Sequence, residues 1–89
     1  MAERQVQIVN RLGIHARAAA KLVDVAKGFA SDITLEKGSQ KANGKRIMTV
    51  LALEAPIGSE LILRTSGSDE SAALEAITSL IANRFGEPD

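Results

Sequence analysis

The chain has 89 residues with 11 basic and 11 acidic side chains, so no net charge draws it to nucleic acid or to an anionic membrane. Its 45% apolar and 25% charged residues fit one ordinary globular domain over residues 1–89, not a disordered chain. Cysteine is absent, there is one histidine, and the aromatics are Phe29 and Phe85; this excludes disulfides, thiol catalysis and multi-histidine metal sites, and leaves nothing for base stacking.

Residues 3–9 alternate, with Val6 and Ile8 on one side and Gln5 and Gln7 on the other, which predicts a half-buried strand. Residues 10–13 break the pattern, and Gly13 can take backbone angles closed to other residues. A helix is expected from His15 or Ala16 to about Lys27. Ala19, Leu22, Val23 and Ala26 form its apolar stripe, and Lys21, Asp24 and Lys27 its wet side. Gly28 is a plausible stop, with Phe29 packing back onto the core. Residues 32–37 alternate again, and Gly38-Ser39 turns them into a short partner strand over residues 40–42.

Asn43-Gly44 reads either as a second hairpin turn or as a loop that starts a helix. Ile47, Met48, Val50 and Leu51 favour the helix. Pro56-Ile57-Gly58 leads into a strand over residues 60–66, apolar on both faces and therefore central in its sheet. Ser68 is expected to cap a last helix, with Asp69 and Glu70 at its positive end. Its inner stripe, Ala73, Leu74, Ile77, Leu80 and Ile81, should continue to Phe85, with Arg84 and Gly86 closing it. Four strands and three helices in this order predict an α+β fold, one antiparallel sheet with helices on one face. The late strand should insert between the first two, and the other face should be left to solvent.

Chemistry concentrates at the seam between the first strand and the alanine-rich helix. His15 sits at the helix start, where free N–H groups favour negative charge, and Arg17 adds a fork of donors suited to a phosphate or carboxylate. A neutral imidazole is a nucleophile near neutral pH and can pass on a phosphoryl group bound to a ring nitrogen. Phosphoryl transfer asks mainly for position and electrostatics, which this seam offers. A lone histidine at a helix start is also commonly a cap or a surface residue. Hydrolysis is disfavoured, because no nearby acid orients His15 as a base, although distant residues can fold close. The N-terminus lacks the apolar core of a signal peptide and no run is long enough to span a membrane, so the cytoplasm is the expected location.

Asn10-x-x-Gly13-Ile14-His15-Ala16-Arg17, followed by a helix, resembles the active-site signature of the histidine-containing phosphocarrier family. Asn43-Gly44-Lys45-Arg46-Ile47-Met48, followed by an apolar helix, is similar to that family's second motif. The resemblance covers essentially the whole chain and implies the family's open-faced β-sandwich, in the order βαββαβα. It implies a carrier, not an enzyme. His15 would take a phosphoryl group on Nδ1 from phosphoenolpyruvate-charged Enzyme I and hand it to a histidine of a IIA-type protein, in sugar uptake or nitrogen-related regulation. Arg17 would neutralise the phosphate. Ile47, Met48 and Leu51 would form an apolar dock for both partners, although core packing is the competing reading for such residues, as for Val50. No cofactor, metal, nucleic acid or membrane insertion is implied, and a monomer is expected.

The chain departs from the family pattern at two positions. Ala18 stands where many relatives have proline, so the first helical turn keeps a backbone N–H. Arg46 stands where many carry a serine that a kinase modifies, which removes that route of regulation. The run His15-Ala16-Arg17-Ala18-Ala19-Ala20, Arg46 and the tail Asn83-Arg84-Phe85-Gly86-Glu87 resemble the nitrogen-related branch.

Overall fold

Period-two alternation builds one antiparallel sheet from β1 (Ala2–Gln7), β2 (Asp32–Lys37), β3 (Gln40–Asn43) and β4 (Glu60–Ser66) in this computed structural model, which describes residues 1–88. The strand order is β1–β4–β2–β3, with Val6 opposite Leu61 and Leu35 opposite Leu63. β4 is therefore central, as its two apolar faces predict. Leu61, Leu63 and Thr65 are fully buried beneath the helices, while Ile62 and Arg64 on the open face are half-buried. There Arg64 donates from Nε to Glu3 (2.8 Å) and pairs with Glu36, linking three strands. The β1 ladder stops at Gln7, two residues before the expected end of the strand. Ile8 is still fully buried, donating its N–H to the Ser59 carbonyl (2.9 Å) and accepting from Gly58 N–H (2.7 Å).

The other face of the sheet carries α1 (Ala16–Ala26), α2 (Ile47–Leu51) and α3 (Glu70–Ala82). In α1 the buried residues are Ala18, Ala19, Leu22, Val23 and Ala26, the expected stripe widened by Ala18. Asn43-Gly44 forms the loop into α2. Asn43 Oδ1 accepts Lys45 N–H (2.9 Å), an Asx turn, and Gly44 N–H reaches the Ile33 carbonyl at 2.7 Å. Among the α2 residues Val50 is the buried one. α3 packs on β1 and β4, closing the core around Leu22, Ile33, Leu53, Ile77 and Ile81.

Two expectations for the last helix need correction. Its N-cap is Asp69, not Ser68. The Asp69 carboxylate turns away from its own helix to accept the N–H groups of Ala30 and Ser31 (2.9 Å each) and the Ser31 hydroxyl, tying α3 to the start of β2. Glu70 does the local work instead, accepting Gly67 N–H at 3.2 Å. At the other end α3 stops at Ala82, because Arg84 (φ 57°) and Phe85 (φ 55°) adopt the left-handed region and turn the chain. Phe85 is buried in the core, but from this turn and not from the helical stripe.

These bonds hold the Asp69 carboxyl below its ordinary range, chiefly through the Ser31 hydroxyl and then Ala30 N–H. A depressed folded-state pKa stabilises the fold above the unfolded value, and the contribution is lost as pH falls through the lowered one. Asp69→Ala is therefore expected to lower the thermal midpoint at pH 7, with the gap to the native chain narrowing below about pH 4. Thermal melts across that range check it. A gap independent of pH would contradict the assignment.

Candidate functional site

Residues 10–15 leave β1 and deliver His15 to the start of α1. Asn10 is fully buried, and its Nδ2 donates to the Gly13 carbonyl (2.8 Å), while Gly13 N–H returns to the Asn10 carbonyl (3.1 Å). Gly13 holds φ +68° hard against the 55–56 segment, and Ile14 N–H bonds the Ala55 carbonyl at 2.9 Å. The turn is thus pinned from both sides. His15 follows in an extended conformation (φ −88°, ψ −179°) as the N-cap of α1. Its carbonyl accepts Ala19 N–H (2.8 Å), but its ring caps nothing. The N–H groups of Ala16, Arg17 and Ala18 lie in a first turn that has no intrahelical acceptors. No acidic side chain occupies that turn.

The acid absent from the local sequence arrives from the far end of the chain. Glu87 Oε2 meets His15 Nε2, and Glu87 Oε1 accepts from Asn10 Nδ2 at 3.0 Å. The left-handed turn at Arg84–Gly86 aims it there, with Phe85 buried and its carbonyl bonded by Lys21 Nζ (2.6 Å). The Asn10 amide, then His15 with the charge of Lys21 behind it, keeps the Glu87 carboxyl below the usual carboxylate range. Glu87 is therefore ionised at neutral pH. His15, Arg17, Arg11, Leu12, Glu87 and Pro88 line an open cleft of about 320 Å³. Phosphate-sized anions entering it would meet two guanidinium groups and the start of a helix.

His15 and Arg17, the two residues singled out for chemistry, are thus brought to one cleft. The three apolar residues expected to form a dock diverge. Met48 is 74% exposed and Ile47 37%, whereas Leu51 is half-buried against the core. They sit on α2, which packs against α1. Arg46 is the N-cap of α2, and Ala18 is wholly buried. Sequence reasoning missed Glu87, 72 residues from His15, for which periodicity and spacing carry no signal. It also passed over Leu12, which is 67% exposed beside His15; an apolar side chain inside a turn was the available hint.

The family model described as "PTS HPr component phosphorylation site" matches residues 2–83. The phosphocarrier protein HPr of Cupriavidus necator is 46% identical over 98% of both chains. The phosphocarrier protein NPr of Shewanella violacea is 44% identical over 96% of this chain and 93% of its own. Among solved structures, an HPr from Thermoanaerobacter tengcongensis superposes with a TM-score of 0.96 at 39% identity over the whole of both chains. A second structure from that organism, described as an HPr dimer, superposes with a TM-score of 0.79 at 40% identity, over 98% of this chain and all of the other. These likenesses run nearly end to end and include the loop that delivers His15 to its cleft, and by them the chain belongs to the HPr family of phosphocarrier proteins, which carry a phosphoryl group in the phosphotransferase system and are not enzymes.

Proposed function

We propose that His15 is the phosphoryl acceptor, loaded on Nδ1 by phosphoenolpyruvate-charged Enzyme I and unloaded onto a histidine of a IIA-type protein. The observation that carries this reading is the ring's setting. His15 opens into a cleft beside two arginines at the start of α1, and its Nε2 is engaged by Glu87, which leaves Nδ1 for the phosphorus. Arg17 receives the phosphate oxygens, and the first-turn N–H groups share their charge. Incubation with phosphoenolpyruvate and Enzyme I, followed by intact mass, is expected to add one acid-labile phosphate to the native chain and none to His15→Ala. Retention of the phosphate in His15→Ala would overturn the assignment.

Docking falls to Met48 and Ile47, with Leu51 contributing an edge. Met48 presents a flexible, polarizable side chain to solvent, suited to a surface that meets two partners in turn. Met48→Glu is expected to weaken Enzyme I binding at least tenfold, an interface loss of about 1.4 kcal/mol or more, without changing the circular dichroism. Unchanged affinity would remove Met48 from the dock.

The chain acts as a single cytoplasmic domain, a monomer in this reading, on the nitrogen-related branch. No described helix is long and apolar enough to cross a membrane. The branch assignment rests on Arg46, the alanine run after His15 and the Asn83-Arg84-Phe85-Gly86-Glu87 run near the C-terminus. Faster phosphate transfer to a sugar-branch IIA protein than to a nitrogen-branch one would reverse it.

A further inference from the structure

We propose that Lys37 is a positioning residue for phosphoryl transfer, its ammonium clasping the Leu53 and Glu54 carbonyls and so holding in place the segment that pins the His15 turn. The role in transfer rests on the carrier reading of His15, whereas the hold on the segment stands apart from it.

Lys37 breaks the pattern of its strand. β2 turns Ile33, Leu35 and Lys37 to the helix-covered side of the sheet, where Ile33 and Leu35 are buried and the alternation calls for a third apolar side chain. A half-buried lysine stands there instead. Its Nζ donates to the Leu53 carbonyl (3.0 Å) and to the Glu54 carbonyl (2.8 Å), both just past Ala52, the C-cap of α2. Glu54 itself takes φ +49°, a left-handed conformation that is costly for a residue with a Cβ. Such backbone persists where surrounding contacts over-determine it, here the buried Leu53 and Ala55 on either side and the lysine from the sheet.

The strained residue leads directly to the site. Glu54 hands the chain to Ala55, whose carbonyl accepts Ile14 N–H at 2.9 Å and leaves no room for a side chain on Gly13. Ile14 is buried and immediately precedes His15. Contacts therefore run from the Lys37 ammonium through Glu54 and Ala55 to the backbone that carries the imidazole. Without the ammonium, Glu54 is free to relax toward negative φ, which draws the Ala55 carbonyl away from Ile14 N–H. The imidazole then spends time out of line with the incoming phosphorus, and a misplacement of about 1 Å can cost on the order of a hundredfold in rate. Docking is spared, because Ile47 and Met48 lie at the start of α2, ahead of the clasped carbonyls.

The test uses the full chain as native, Lys37→Met, which keeps the aliphatic stem without the donors, and Lys37→Arg, which keeps donors. Amide hydrogen exchange, followed residue by residue by NMR on the unphosphorylated chain, is expected to be at least about tenfold faster at Ile14 N–H in Lys37→Met, unchanged in the amides of β4, and close to native in Lys37→Arg. With Enzyme I and phosphoenolpyruvate, Lys37→Met should lower kcat about tenfold with KM unchanged. Glu54→Gly placed in the Lys37→Met background should recover most of that loss, because glycine takes a positive φ without a clasp. Ile14 exchange at the native rate in Lys37→Met, faster exchange shared equally by β4, an unchanged kcat, a change confined to KM, or no recovery with glycine would each overturn the positioning role. Absence of phosphate on the native chain would overturn the carrier reading itself, and Ile14 exchange would still decide whether Lys37 holds the segment.

Discussion

Gly13→Ala is expected to destabilise the fold by about 3 kcal/mol and lower the thermal midpoint by on the order of 15 °C, although it adds one methyl group. Gly13 sits at φ +68°, where a side chain is strained. A Cβ there would lie 2.5 Å from the Ala55 carbonyl oxygen and 2.8 Å from the Pro56 Cα, both backbone atoms that cannot swing aside. Relief would require separating the loop from the 55–56 segment, which breaks the Ile14 bond to the Ala55 carbonyl. Because His15 follows two residues later, transfer should fall along with stability. A melt within a few degrees of native would show that the loop is free to move, against the pinned turn described above.

Arg17→Ala should do the opposite, slowing phosphoryl transfer about a hundredfold while leaving the fold intact. Arg17 is exposed in the first turn of α1, the positive end of the helix dipole, where a cation is slightly unfavourable. Alanine is also the better helix former, so the variant's thermal midpoint should equal or slightly exceed the native one. A residue that helps neither its helix nor the core is best explained by what it meets in the cleft. Stopped-flow transfer from phosphorylated Enzyme I, with binding measured separately, checks this. A loss confined to binding would make Arg17 a docking contact.

Much of the scaffold is legible in the sequence because it rests on local periodicity. The α1 stripe, the two-faced apolar run of β4 and the Asn43-Gly44 entry to α2 each follow from residues close in the chain. The departures are tertiary. Ser68 has the composition of a cap, but Asp69 takes the position because its carboxylate bonds the 30–31 loop. Phe85 continues an apolar spacing, yet it enters the core only after the backbone reverses hand at Arg84. The site divides the same way. His15 and Arg17 stand two residues apart at a predictable helix start, whereas the partner of the imidazole comes from Glu87 by a path no local pattern encodes. Leu51, placed in the dock by the family resemblance alone, is half-buried against the core, where its apolar character is used in packing.

The carrier role of His15 turns on which atom takes the phosphorus. Phosphorus and ¹⁵N NMR of the uniformly ¹⁵N-labelled chain, phosphorylated with phosphoenolpyruvate and Enzyme I, reads this directly through the coupling between the two nuclei. The predicted result is a single phosphoramidate on Nδ1 of His15, with Nε2 still protonated. Phosphorus on Nε2, or an acid-stable phosphate on a serine or threonine, would contradict it.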